Sequence, residues 1–266
     1  MQRYGWDRAA SRYAASWELP LSAARAVLVD RLRPRAGERI LDVACGTGGL
    51  ALELAAAVGA SGAVLGVDLS QAMVDAATAQ AACAGLANVR FERANAQSLS
   101  LPEATFDVVT CSFGLMYLPD PEQVLDRMRR LLRPGGRLGL AVWGERRRCA
   151  WAPVFSIIDA EVRSEVCPLF FRLGAEGALA KACCQAGLSV SWTTTLAQPL
   201  RYGSADEACD AMFAAGPAAL AWSHFDDETR ARVRARYLAA IDVWRGETFY
   251  ELPAEFVCLV AQVAAG

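Results

Sequence analysis

The stretch ILDVACGTGGLALELA, from Ile40 to Ala55, decides the fold. A short apolar run carrying one carboxylate, Asp42, passes into a loop with glycine at positions 46, 48 and 49. The loop opens directly onto a segment rich in Ala and Leu. Strand, tight turn, helix is the reading of that order. Glycines so closely spaced let a partner approach the backbone, or let the chain take left-handed conformations closed to other residues.

Working outward, the same order recurs. AVLGVD (from Ala63), VRFERA (from Val89), FDVVTC (from Phe106) and RLGLAVW (from Arg137) read as buried strands, with helical patterns between them. SQAMVDAATAQAACAG starts at a capping residue, Ser70, and stops at Gly85. DPEQVLDRMRRLLRPGG has Asp120 as cap, Pro121 at the first helical position and Gln123 as a capping-box partner. Val124, Leu125, Met128, Leu131 and Leu132 form its apolar face, and Pro134 with Gly135 and Gly136 ends it. Strict alternation of strand and helix implies a parallel sheet covered on both faces.

Past Gly144 the pattern loosens. Residues 151–164 and 174–186 read as helical, and LSVSWTTTLAQPL (from Leu188) and EFVCLVAQV (from Glu255) as strands. The long stretch between those strands exceeds any hairpin connection and contains an amphipathic helix with Val233, Tyr237, Ile241 and Trp244 on one face. It reads as a cap inserted over the sheet's ligand edge.

Composition bounds the partners. With 54% hydrophobic and 21% charged residues the chain has ample core and is not a disordered one. A formal net charge of −2 argues against nucleic acid or an anionic membrane surface. Every basic residue except Lys181 is arginine, which with the abundant Ala suggests a GC-rich, bacterial coding sequence. No apolar run reaches the roughly 18 residues that span a bilayer, and MQRYGWDRAASRY lacks a signal-peptide core. The cysteines show neither a CxxC pair nor spacing with histidine, so reduced thiols and a cytoplasmic location are expected.

In an open parallel sheet, ligands bind outside the carboxyl ends of the strands. Asp42 and the glycine loop, Asp68, Asn95-Ala96 and Cys111-Ser112-Phe113 all stand at such ends. An acidic residue at the second strand end suits ribose hydroxyls, and Leu69, Met73 and Ala96 offer flat walls for adenine. Gly46-x-Gly48-x-x-Ala51 also fits the dinucleotide fingerprint, whereas a P-loop is excluded because no Gly-Lys-Ser/Thr follows. Asp42 is poorly placed for a pyrophosphate and better placed for an amino-acid ammonium group.

DVACGTGG, VDLSQAM, ANAQSLSLPEATFDVVTCSFGLMYLPD and LLRPGGRL, in that order and spacing, resemble the successive motifs of Rossmann-like, class I S-adenosylmethionine-dependent methyltransferases. The middle of the chain is most similar to the ubiquinone/menaquinone-biosynthesis C-methyltransferases and their small-molecule relatives; the resemblance covers about residues 35–145. It implies an α/β fold, a doubly wound Rossmann-like seven-stranded sheet with the last strand antiparallel. A helical lid (1–33), a core (34–201, with helices over 151–186), a helical cap (202–250) and the last strand (251–266) make up the chain. The quinone enzymes run more directly between the last two strands, so the acceptor stays open.

Position by position, the resemblance implies that Asp42, Ala44, Gly46 and Gly48 meet the methionyl end of S-adenosylmethionine. Asp68 binds the ribose, Leu69 and Met73 flank adenine, Asn95 and Ala96 read its amino edge, and Ser112 sits beside the methionyl group. Tyr13, with Trp6 and Trp17 nearby, resembles the family's lid; an ordinary helix packed on the sheet is the competing reading. Phe113 and Tyr117 read either as channel walls or as core.

Methyl transfer from a sulfonium is an in-line displacement that asks the protein chiefly to align the nucleophile and exclude water. A general base helps only where the acceptor must lose a proton, and His224 is the candidate, against a plain solvated loop histidine. Arg146, Arg147 and Arg148 read as a solvated turn or as an anchor for an acidic acceptor. Trp222 and Phe225, amid the insertion's other aromatics, suit a small apolar or aromatic acceptor or the cap's own core. SFGLMY at the fourth strand lacks the Asn/Asp-Pro-Pro-Tyr motif of adenine and glutamine N-methyltransferases, and scattered cysteines disfavour arsenite. Two rivals remain at this level: a nicotinamide-dependent oxidoreductase, and a non-catalytic S-adenosylmethionine-binding module.

Overall fold

The computed structural model describes residues 2–162 and 170–264. Its centre is a seven-stranded sheet. β1 (Arg39–Val43), β2 (Ala63–Asp68), β3 (Val89–Arg93), β4 (Phe106–Ser112) and β5 (Leu132–Trp143) run parallel in the order β3-β2-β1-β4-β5. The last strand, β9 (Glu255–Gln262), lies antiparallel between β5 and β6 (Ser189–Ala197). α2 (Gly49–Val58) and α3 (Gln71–Cys83) step the chain one way from β1, while α4 (Pro121–Leu131) carries β4 to β5 the other way. Right-handed crossovers therefore put the two sets on opposite faces, and strand order reverses between β1 and β4.

Local chemistry sets the element ends. Ser70 Oγ accepts the Met73 N–H at 3.2 Å, and Gly85 closes α3 at φ 66°. Asp120 accepts the Gln123 N–H at 2.9 Å, and Val124, Leu125, Met128 and Leu131 are buried. β5 starts five positions before the expected Arg137, because Leu132 already pairs with Phe106 and Gly135, at φ 75°, kinks the strand without breaking it.

The later segments differ more from expectation. The helices expected over 151–164 and 174–186 are α5 (Pro153–Asp159) and α6 (Ala178–Gln185). The first expectation runs into residues 163–169, outside the described residues. The run from Leu188 is two strands: Gln198 donates its N–H to Ala254, Pro199 has none to give, and the chain leaves the sheet. β7 (Leu200–Tyr202) then pairs with β8 (Tyr250–Leu252) as a separate ribbon across both expected cap boundaries. Between them lie α7 (Ala205–Phe213), α8 (Ala219–His224) and α9 (Asp227–Ile241). Val233, Tyr237 and Ile241 are buried as expected; Trp244 falls in a short turn beyond α9 and is exposed.

The N-terminal segment is one helix, α1 (Gln2–Leu32), with Pro20 inside it. Its C-terminal half buries Leu21, Ala24, Leu28 and Leu32 against β5 and β9. Its N-terminal half runs past the strand ends between α3 and α8. Both readings of this segment, packed helix and cover, describe parts of the same element.

Candidate functional site

A cavity of about 320 Å³ opens at the carboxyl edge of the sheet, where strand order reverses. One end is built from strand exits: Ala44 and Gly46 after β1, Asp68 and Leu69 after β2, Asn95 and Ala96 after β3. Ser112 and Phe113 at the end of β4 adjoin them, and Met73 closes the wall from α3. Ala44 (φ 56°) and Phe113 (φ 57°) are both left-handed, an uncommon state for non-glycine residues. The two exits are packed together, since a Cβ on Gly114 would collide with the Ala44 Cβ.

The glycines divide their work. Gly46 (φ 54°) faces the cavity, and its N–H donates to Asp68 Oδ2 at 2.9 Å. Gly48 (φ 91°) does not line the cavity; a Cβ there would lie 3.0 Å from both Ala77 and Phe91, so its bareness serves the packing of α3 and β3. Gly49 leaves room for the Glu18 carboxylate of α1. That carboxylate accepts from Thr47 Oγ1 at 2.6 Å and pairs with Arg25 at 3.0 Å. Asp7, also on α1, accepts from Ser70 Oγ at 2.6 Å. These contacts tie the helical cover to the glycine loop and to the start of α3.

The two carboxylates behave differently. Asp68, 9% exposed, borders the cavity and accepts from the Gly46 and Ser70 N–H groups. Burial raises its pKa, and those two N–H groups pull it back down. Asp42 is 1% exposed and does not line the cavity. It accepts from Thr110 Oγ1 at 2.7 Å inside the sheet, and burial pushes its carboxyl up to about 7. Direct contact of Asp42 with a methionyl group is therefore corrected, as is that of Gly48: both shape the loop from behind.

The far end of the cavity is aromatic. Trp6, Tyr13 and Trp17 come from α1, Tyr117 follows β4, Trp143 ends β5, and Trp151 precedes α5. Trp6 stands edge-on to Tyr117 at 5.0 Å and to Tyr13 at 6.0 Å. Phe113 packs on Trp143 at 5.5 Å. Burial, with the Glu18 and Asp68 charges adding, pushes the Tyr13 phenol well above its ordinary pKa, so it stays a hydrogen-bond donor at neutral pH. Asn95 Oδ1 accepts from the Gln97 N–H, which leaves its amide group facing outward.

The cap reaches the cavity differently from expectation. Trp222 and Phe225 do not line it: Trp222 stacks on Phe213 at 4.8 Å beneath Arg230, and Phe225 is buried beside it as cap core. His224 ends α8 and is exposed, away from the cavity lining. The cap instead contributes Gly216 and Pro217, from the α7–α8 turn. Arg147 and Arg148 pair with Glu145 and Glu255 as a salt-bridged turn. Trp143 and Trp151 were missed, although the strand-end rule that selects Asp68 and Ser112 selects Trp143 as well.

Among the described residues no group of His, Cys, Asp or Glu is arranged to hold a metal ion, and the cysteines are unpaired. Nor does any described helix have the length and apolarity to cross a membrane.

Residues 40–136 match a family model described as a methyltransferase domain. Over 106 residues the chain is 42% identical to demethylmenaquinone methyltransferase from Geobacillus kaustophilus, covering 40% of this chain and 45% of that protein. Over 135 residues it is 38% identical to nocamycin O-methyltransferase from Saccharothrix syringae, covering 51% and 48%. The chain thus spans about half the length of the curated relatives it matches. In fold it is similar to phosphoethanolamine N-methyltransferase 2 from Haemonchus contortus, solved with S-adenosyl-L-methionine (TM-score 0.64, 15% identity, 99% of this chain and 60% of that one). It is equally similar to the [4+2]-cyclase SpnF (TM-score 0.64, 23% identity, 96% and 84%). Set on the strand exits that build the cavity, residues 40–136 are a methyltransferase domain of the Rossmann-like, S-adenosylmethionine-dependent class.

Proposed function

We propose that the protein transfers a methyl group from S-adenosylmethionine to a small, apolar or aromatic acceptor held in the aromatic end of the cavity. The observation that carries this is the joining of two chemistries in one cavity: polar strand exits at one end and indole and phenol rings at the other. Asp68 has lone pairs free for ribose hydroxyls beyond its two backbone bonds. Leu69, Met73 and Ala96 supply walls for adenine, Asn95 a polar edge, and Ala44, Gly46 and Ser112 the surface for a methionyl group. When bound, S-adenosylmethionine supplies a methyl group already activated by its sulfonium. The chain's task is to orient the acceptor and keep water out, which the rings of Trp6, Tyr13 and Tyr117 do from α1 and the β4 exit.

The relatives named for quinone and polyketide-type products act on oxygen or carbon, and the aromatic walls suit either. The test is a transfer assay with methyl-labelled S-adenosylmethionine over a panel of phenols, enols and aromatic amines. Label entering an organic-extractable product with stoichiometric S-adenosylhomocysteine supports the proposal. A panel in which label never leaves the donor, while the donor binds, favours a binding module instead.

A further inference from the structure

Trp17 carries a feature that its place in the cover does not use. Its side chain is 4% exposed, it lines the cavity, and its indole Nε1–H meets no acceptor in the protein. Its ring stands edge-on to Trp143 at 5.9 Å and to Trp151 at 6.5 Å, so its neighbours there are apolar rings without an oxygen. Buried donors are almost always satisfied, and leaving one unpaired is costly. The Trp151 indole, by contrast, has the Cys149 sulfur beside it as a weak acceptor. Trp17 is one of the tethered residues of α1: Glu18, the next residue, is fixed by Thr47 and Arg25, and Leu21 is buried one turn on. The donor is therefore held in place before any ligand arrives.

Resting on the methyltransferase reading above, we infer that Trp17 is a specificity-determining residue whose indole N–H receives a carbonyl, enolic or phenolic oxygen of an otherwise apolar, ring-bearing acceptor. An all-hydrocarbon ligand fills the same walls and leaves the donor unpaired; an oxygenated one satisfies it. The rule that a site built to hydrogen-bond a group rejects the analogue lacking it then sets the preference.

The test needs no knowledge of the natural acceptor. With the protein saturated in S-adenosylhomocysteine, 1-tetralone and tetralin, which share a ring skeleton and differ in one carbonyl oxygen, are titrated by ligand-observed NMR. The wild type is expected to bind the ketone roughly three- to tenfold more tightly than the hydrocarbon. Trp17→Phe, which keeps a ring and removes the donor, is expected to bring the two within about twofold while S-adenosylhomocysteine affinity stays unchanged. Trp151→Phe is expected to keep the ketone preference. A preference that survives in Trp17→Phe, or is missing from the wild type, overturns the assignment. Absence of S-adenosylhomocysteine binding by the folded wild type overturns the underlying methyltransferase reading instead, so the two failures are separate observations.

Discussion

Asp42 is the residue whose environment departs furthest from what its neighbours in sequence suggest. A free aspartate ionises near pH 4; burial inside the sheet raises Asp42 to about 7. Between those values the folded protein keeps a proton that the unfolded chain has released. The fold's stability therefore falls as pH rises through that window and levels off above it. Asp42→Asn keeps the shape, and its amide oxygen can still accept from Thr110, so the variant should gain on the wild type from pH 5 to pH 8. The gain is on the order of a few kcal/mol in urea titrations; a difference that stays flat with pH contradicts the assignment. Because Asp42 does not line the cavity, the same variant should bind S-adenosylhomocysteine nearly as the wild type does. From the sequence, Asp42 and Gly48 were indistinguishable from ligand contacts. A motif fixes where backbone turns, and only the packing of Thr110, Ala77 and Phe91 decides which side chains face inward.

At the scale of elements, strands and helices of the β-α-β region were legible because periodicity, caps and glycine stops agreed with one another. Past Gly144 they were less so: β7 and β8 are three residues long, and their pairing joins positions fifty apart in sequence. The insertion's aromatic density was visible, yet it could not distinguish a ligand wall from a cap core, and the core reading prevails for Trp222 and Phe225. Trp222→Ala, which loses the stack on Phe213 and the Arg230 contact, should cost about 2 kcal/mol in urea titrations. It should leave S-adenosylhomocysteine affinity unchanged, and a large loss of affinity at unchanged stability would return Trp222 to the site. Gly174→Ala addresses the other flank: a Cβ there would overlap the carbonyl oxygens of Trp143 and Gly144, which are backbone and cannot swing aside. Destabilisation of about 3 kcal/mol or failure to fold is expected, whereas a change below about 0.5 kcal/mol would mean that the end of β5 is slack.

At the scale of the molecule, one long helix does two jobs. α1 is anchored on β5 and β9 at one end, and at the other it brings three aromatic rings to the cavity and a carboxylate to the start of α3. The cap holds this half of α1 from outside, through α8 and an Arg12–Asp210 pair, and touches the cavity itself only at Gly216 and Pro217. The fold class and the donor-side strand exits were readable because each follows from a local rule. The acceptor side was not, because α1, the β5 end and the α7–α8 turn meet there from distant parts of the chain. The central claim is that this cavity takes S-adenosylmethionine with Asp68 as an anchor, and it is tested most directly by calorimetric titration of S-adenosylhomocysteine into the wild type and Asp68→Ala. The account predicts dissociation constants of ~1–100 μM for the wild type and binding weakened at least about tenfold in the variant, with circular dichroism showing both folded. No heat of binding from the folded wild type, or equal affinity in Asp68→Ala, would contradict it.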